Sequence, residues 1–168
     1  MIRVYFYPDM KRYVLFTAPV LEHIYSHAQL KSSMPEAGGE VFSIAPDADG
    51  LVISSIAGPT SRDKRTRTSW VPNAKAADKN RKSEFLNGKH VVGLWHTHPE
   101  NNPAPSNVDR CTTFDYLRTF ESNRSRYFMI ILGNEGNPLK MAVWVATITG
   151  RRERWMQLYE VRDPVGSS

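Results

Sequence analysis

The feature that most constrains the fold is an uninterrupted apolar run at residues 91–95, Val-Val-Gly-Leu-Trp. A strand with one side in water alternates apolar and polar residues, whereas this run offers apolar side chains to both sides. It is therefore typical of a central strand that other elements cover on both faces of a sheet. His96 follows directly, at the end of this predicted strand.

Weaker patterns on either side of this strand predict further strands and helices. β-Rich runs at 2–7 and 11–16 predict a hairpin, and helical spacing from Pro19 to about Leu30 predicts a helix. Other strands are predicted at 41–44, 51–57, 127–132, 141–147 and 155–161, and other helices at 74–86 and 106–121. The polar and basic residues 58–72 predict a loop, and the sequence leaves open whether this loop is ordered without substrate. Together these elements favour an α/β (α+β) fold with a mixed sheet.

Composition narrows the classes of protein that are possible. The chain has 168 residues, 40% of them apolar, which suits one globular domain; we predict this domain at 1–163 and a disordered tail at 164–168. The one cysteine, Cys111, excludes an intrachain disulfide and a Cys-rich zinc site, and we expect it to be a small core residue. No signal peptide or long apolar segment is visible, so we expect a cytoplasmic protein with no membrane contact.

Basic residues account for the net charge of +5 and cluster in two places. One cluster comprises Arg62, Lys64, Arg65 and Arg67, and the other comprises Lys75, Lys79, Arg81 and Lys82. Such runs are commonly solvated surface, but they can also steer an acidic partner or nucleic acid. Both interpretations stay open at this stage.

The residues that indicate chemistry follow the buried strand. Because side chains alternate along a strand, His96 and His98 are expected on one side and Thr97 on the other. A proline-rich segment then leads to Ser106, which can cap a helix whose first turn contains Asp109. Two imidazoles and a carboxylate give three protein ligands, and three ligands leave a zinc position open for catalysis. A capped helix without a metal would also explain Ser106 and Asp109.

These residues resemble a known signature. His96-x-His98-Pro99, six further residues and Ser106-x-x-Asp109 resemble the JAMM motif of the MPN/JAB-domain metalloproteases. That family also has a glutamate before a glycine-containing strand, and Pro35-Glu36-Ala37-Gly38-Gly39 resembles this segment. The resemblance covers roughly residues 14–132 and implies a cytidine-deaminase-like mixed sheet between helices.

The resemblance also implies roles for individual residues. It implies one Zn²⁺ held by His96, His98 and Asp109, with Glu36 as the catalytic acid/base. Glu40 is the alternative for this role. Ser106 is expected to stabilise an oxyanion. Candidates for substrate contact are the basic residues of the predicted loop together with an aromatic residue, namely Arg62, Lys64, Arg65, Arg67 and Trp70.

The resemblance implies a class of substrate as well. JAMM enzymes cut peptide or isopeptide bonds after the C-terminal tail of ubiquitin or a ubiquitin-like protein. The small size of this chain is similar to that of the stand-alone JAB proteins of bacterial antiphage operons, including the CBASS type. There the expected partner is a ubiquitin-like protein or a conjugated signalling enzyme with an extended tail. A RadC-type protein of DNA metabolism and a non-catalytic MPN scaffold are the alternatives, and nucleic acid is the less favoured partner.

Overall fold

The computed structural model describes residues 1–120 and 124–162. The predicted helix end at Glu121 and the predicted disordered tail at 164–168 lie outside these described residues. Within them, no helix combines the length and apolarity needed to cross a membrane.

The described residues form eleven strands and three helices. The strands are β1 (Arg3–Phe6), β2 (Tyr13–Phe16), β3 (Gly38–Ser43), β4 (Gly50–Ile53), β5 (Ser55–Ala57), β6 (Lys64–Thr66), β7 (Ser69–Val71), β8 (His90–Thr97), β9 (Arg126–Leu132), β10 (Met141–Thr149) and β11 (Arg152–Glu160). The helices are α1 (Ala18–Ser26), α2 (Ala74–Leu86) and α3 (Asn107–Thr119).

Nine of the strands form one mixed sheet in the order β4-β2-β1-β11-β10-β9-β8-β3-β5. The predicted hairpin is present, since β1 and β2 pair antiparallel. The two edge strands, β4 and β5, are joined only by Ser54. Because one linking residue spans at most about 7 Å between its neighbours, the two edges of the sheet must meet. The sheet is therefore strongly rolled, with β8 inside it between β3 and β9.

Helices cover both faces of the central strands, as the apolar run predicts. Trp95 is fully buried and packs in one cluster with Leu21 and Ile24 of α1. Its neighbour Leu94 packs on the opposite side, in a second cluster that contains Phe114 of α3. The predicted mixed α/β sheet between helices is thus confirmed, and β8 is its buried centre.

Two predicted segments differ in the structure. Residues 51–57 form two strands and not one, because β4 pairs with β2 at one edge while β5 pairs with β3 at the other. Residues 58–72 are not a simple loop, since β6 and β7 pair antiparallel as a hairpin. The first helix also ends at Ser26, earlier than the predicted Leu30. We use the term hairpin 64–71 below for β6, β7 and the turn between them.

The prediction that Cys111 is a small core residue is wrong, because Cys111 lies on α3 outside the buried face of that helix. The buried residues of α3 share one face, and they are Thr113, Phe114 and Leu117. Cys111 lies to the side of this face and is exposed, and Val108 is 72% exposed. The apolar residues outside the buried face therefore border the cleft or solvent instead of a second core.

Candidate metal centre

The end of β8 brings two imidazoles together. His96 and His98 project to the same side, and their Nε2 atoms are 2.8 Å apart. Thr97 projects to the other side, where its hydroxyl donates to Gln29 Oε1 and accepts from the Ala37 N–H. This buried pair of hydrogen bonds fixes the rotation of the strand end, so both histidines face the same point.

Helix α3 adds a carboxylate to this point. Ser106 caps the helix, since its Oγ accepts from the Asp109 N–H at 3.1 Å while Asp109 Oδ2 accepts from the Ser106 N–H at 2.8 Å. The reciprocal hydrogen bonds hold the Asp109 side chain in one orientation. From there Asp109 Oδ1 lies 3.3 Å from His96 Nε2, and Oδ2 lies 3.3 Å from His98 Nε2.

The spacing of these three groups fits a zinc ion. Two atoms that bind zinc at about 2.0–2.1 Å in a tetrahedron lie roughly 3.3 Å apart. Both carboxylate–imidazole separations have this value, and the Nε2–Nε2 separation of 2.8 Å is somewhat shorter. His98 Nδ1 also faces Glu100 Oε2 at 3.4 Å. A carboxylate behind a ligand histidine is common around zinc, because it orients the ring.

Glu36 approaches the same point from an earlier part of the chain. It lies two residues before the start of β3 and is 6% exposed. One ligand atom each from Glu36, His96 and His98 lies within 4.8 Å of the others, so the three form a group that could hold a metal. Burial raises the pKa of Glu36 to about 7, and the charge of Asp109 adds to the shift although His98 opposes it. Glu36 can therefore exchange a proton near neutral pH.

Asp109 and Glu36 could thus each be the third metal ligand beside the two histidines. The pKa values that their surroundings give them distinguish the two. Burial alone would raise the pKa of Asp109, but hydrogen bonds from His96 and His98 outweigh it and hold the pKa well below its usual range. Asp109 is therefore an ionised group in direct contact with both imidazoles, as a ligand must be. Glu36 lies farther away and titrates near neutrality, as a general base must.

A cleft of about 690 Å³ opens onto this centre. Its lining includes Trp70, Val71 and Pro72 of the hairpin region and Val108 and Thr112 of α3. Val71 is 55% exposed and Val108 is 72% exposed, so both regions present apolar side chains to an incoming ligand. A cleft with apolar lining residues and ionisable groups at one point can accommodate an extended peptide.

The other predicted residues divide into three groups. Arg62, Lys64 and Arg67 are exposed, and Trp70 lines the cleft. Arg65 instead turns inward, where its Nε donates to the Glu36 carbonyl oxygen at 2.6 Å. The alternative catalytic glutamate, Glu40, is buried and both of its carboxylate oxygens accept from Arg81 at 2.9 Å. This ion pair occupies Glu40 and removes it from the candidates.

Two residues with a part in this centre gave no signal in the sequence. Gln29 is 1% exposed and its amide donates to the Met34 and Arg67 carbonyl oxygens. Asp63 accepts from Trp70 Nε1 and from the Asn73 N–H, which ties both ends of the hairpin region together. Gln29 also bonds to residues far away in the chain, and Asp63 lies in a segment predicted as a loop, so neither periodicity nor spacing could indicate them.

Comparison with known proteins agrees with the fold and identifies the family. A protein-family model described as prokaryotic homologs of the JAB domain matches residues 17–154. A CD-NTase/cGAS isopeptidase of Vibrio cholerae is 30% identical over 122 residues, which cover 70% of this chain and 75% of that protein. A protein of the same name from Pseudomonas aeruginosa is 33% identical over 106 residues, covering 61% and 66%.

A solved structure resembles the fold at low sequence identity. The solution structure of protein DSY2949 from Desulfitobacterium hafniense has a TM-score of 0.57 and is 18% identical, and the match covers 83% of this chain and 87% of that one. The family match spans the glutamate, both histidines, the capping serine and the aspartate. The chain therefore belongs to the family of prokaryotic homologs of the JAB domain.

Proposed function

We propose that this chain is a zinc-dependent isopeptidase that cleaves directly after the C-terminal tail of a conjugated protein. The observation that carries the proposal is the convergence of His96, His98 and Asp109 beside the buried Glu36. The names of the relatives support the reaction class, since they are isopeptidases. Zn²⁺ held by these three residues would lower the pKa of a bound water toward about 7 and polarise the scissile carbonyl.

Glu36 would act as the general acid/base. Its carboxylate is close enough to the two imidazoles to reach a water molecule in the open position. With a pKa of about 7, Glu36 can accept the proton of the attacking water and then deliver it to the amine nitrogen that leaves. Glu36 is held by backbone hydrogen bonds, so this transfer needs no rearrangement of the main chain.

Ser106 would stabilise the oxyanion of the tetrahedral intermediate. Its Oγ accepts a hydrogen bond from the Asp109 N–H, and this bond occupies a lone pair of the hydroxyl. The O–H proton of Ser106 therefore remains available for donation. Capping and oxyanion stabilisation are thus compatible in one residue, and a preoriented donor of this kind is effective because the helix already fixes its position.

The cleft suggests how a substrate tail would bind. In the described residues β7 pairs only with β6, so its outer edge offers free backbone groups to an extended peptide. Arg62, Lys64 and Arg67 lie exposed in the same region and would attract an acidic protein surface. Because the relatives are named for a CD-NTase, we propose a conjugated CD-NTase-like signalling enzyme of a CBASS-type system as the substrate, in the cytoplasm.

The proposal is tested with a CD-NTase-like enzyme that carries a reporter peptide after its last residue. Zinc content and mass-spectrometric cleavage are measured for the wild type, for chelator-treated protein and for Glu36→Ala. We expect the wild type to release the reporter at the junction. We expect chelation to abolish release, and Glu36→Ala to retain zinc but lose activity by about 10²- to 10⁴-fold.

The exposed Glu135 provides a matched control, since Glu135→Ala also removes one carboxylate but far from the centre in sequence and outside the cleft lining. We expect this variant to cleave as the wild type does. Full activity in Glu36→Ala, or cleavage by chelated protein at the wild-type rate, would contradict the proposal.

A further inference from the structure

The backbone of Glu36 is held by hairpin 64–71. The Glu36 N–H donates to the Thr66 carbonyl oxygen at 2.8 Å, and the Glu36 carbonyl oxygen accepts from Arg65 Nε at 2.6 Å. Both polar groups of the Glu36 main chain therefore bind β6. Glu36 lies outside every strand, so the ladder of the large sheet does not position it.

The next residue is held by a different element. The Ala37 N–H donates to Thr97 Oγ1 at 3.0 Å, and the Ala37 carbonyl oxygen accepts from the Thr97 N–H at 2.9 Å. The chain thus passes from contact with the hairpin to contact with β8 between Glu36 and Ala37. A shift of the hairpin would move Glu36 while Ala37 and the histidine ligands stay in place.

The hairpin itself is docked by its two inward residues. Arg65 and Trp70 form a cross-strand pair on one face, and the strand residues on either side of each are exposed. The indole of Trp70 lies against Gly38, where a Cβ atom would come within 2.5 Å of the ring. Gly38 is opposite His96 in the β3–β8 register, so Trp70 covers the sheet at the level of the metal centre.

We propose that Arg65 is a positioning residue, which acts through the Glu36 carbonyl and couples hairpin 64–71 to the alignment of the acid/base. The inference rests on the proposed isopeptidase function. It separates the half-buried Arg65, which bonds to the Glu36 carbonyl oxygen, from the exposed Arg67. A peptide that adds to the outer edge of β7 stabilises the hairpin and therefore the position of Glu36. Arg65 thus affects kcat, whereas Arg67 affects KM.

The test compares Arg65→Ala with Arg67→Ala in the zinc-loaded protein, because both variants remove one arginine from the same hairpin. Arg65→Ala is expected to lower kcat by about 10- to 100-fold with KM almost unchanged, the effect of a small misplacement of a reacting group. Arg67→Ala is expected to raise KM and leave kcat unchanged. Arg65→Lys retains one donor, and its kcat is expected to lie above that of Arg65→Ala.

Amide hydrogen exchange measured by NMR provides a readout that does not depend on activity. Arg65→Ala should speed exchange at Glu36 and leave Ala37 protected, since Thr97 holds the Ala37 amide. Unchanged exchange at Glu36, or a kcat equal to that of the wild type, would overturn the positioning role. If the wild type cleaves nothing, the proposed function fails, and the exchange data still decide whether Arg65 positions Glu36.

Discussion

The proposed metal ligands and the proposed acid/base of this protein are held in opposite ways. His96, His98 and Asp109 lie within one short stretch of chain and depend on local geometry, namely strand alternation and a capped helix. Glu36 lies outside any regular element and depends on contacts with Thr66 and Arg65, roughly thirty residues away. The comparison predicts that the proposed metal binding and the proposed proton transfer can be disturbed independently.

This difference in support determines which part of the proposed centre a bound substrate could shift. A strand end and a helix cap are rigid, so the ligand geometry should be present before a substrate arrives. The position of Glu36 is tied to a short two-stranded hairpin, which has little apolar area of its own and is among the less stable kinds of element. On the proposed mechanism, substrate contact at the hairpin would therefore influence the proton-transfer step without altering the proposed ligands.

The largest effect is expected when one of the proposed metal ligands, which depend on local geometry, is removed. His98→Ala removes one of three ligands, and zinc then has too few protein donors for tight binding. We expect loss of stoichiometric zinc, measured by elemental analysis after dialysis, together with loss of cleavage. The Glu36 amide should stay protected from exchange, because its partners are on the hairpin. A His98→Ala protein that keeps one zinc per chain would show that this histidine is not a ligand.

A smaller effect is expected from Ser106→Gly, which separates the two roles of this residue. Glycine is tolerated at an N-cap at a cost of a few tenths of a kcal/mol, roughly, whereas alanine there costs about 1 kcal/mol. Ser106→Gly and Ser106→Ala both lack the hydroxyl. Each should therefore lose about 10²- to 10³-fold in kcat if Ser106 stabilises the oxyanion. Urea unfolding distinguishes their stabilities. A Ser106→Gly variant with undiminished kcat would leave Ser106 only its capping role.

Features that depend on neighbours in the chain could be predicted from the sequence, whereas features that depend on remote contacts could not. The apolar run at 91–95 predicted the central strand, and the spacing from His96 to Asp109 predicted which side chains would meet, because both depend on neighbours in the chain. The hairpin was missed because its strands are only three residues long and the residues of β6 are polar. Its one signal was the alternation that places Arg65 and Trp70 on the inner face. Gln29 had no signal, since its bonds to Arg67 and Thr97 join residues far apart in the chain.

Gln29→Ala removes a buried side chain whose hydrogen bonds join distant parts of the chain. The buried amide binds the Met34 and Arg67 carbonyl oxygens and accepts from Thr97 Oγ1, so its removal leaves polar groups without partners. We expect the free energy of unfolding to fall by about 1–3 kcal/mol. Zinc should still bind, because no proposed ligand is removed and the hydrogen bond from the Thr97 N–H to the Ala37 carbonyl oxygen still holds the strand end. Loss of zinc at full stability would instead mean that the Thr97–Gln29 hydrogen bond is required to orient the histidines.

The smallest effect concerns pH. Burial alone lowers the pKa of His98, but its hydrogen bond with Asp109 and the charges of Asp109 and Glu36 outweigh burial and raise the pKa above its usual value. Protonated His98 cannot bind zinc, so affinity should be greatest above this raised pKa and fall as the pH drops through it. Calorimetric titration should show a decline of about tenfold per pH unit below the pKa, with proton release on binding. Affinity that is constant from neutral to mildly acidic pH would contradict this coupling.

The most direct test of the centre is a crystal structure of the zinc-loaded protein with anomalous data collected on both sides of the zinc edge. We expect one anomalous peak within about 2.0–2.2 Å of His96 Nε2, His98 Nε2 and an Asp109 oxygen, with Glu36 outside bonding distance. A peak bonded to Glu36 in place of Asp109, or no peak between the two histidines, would contradict the division between ligand and acid/base.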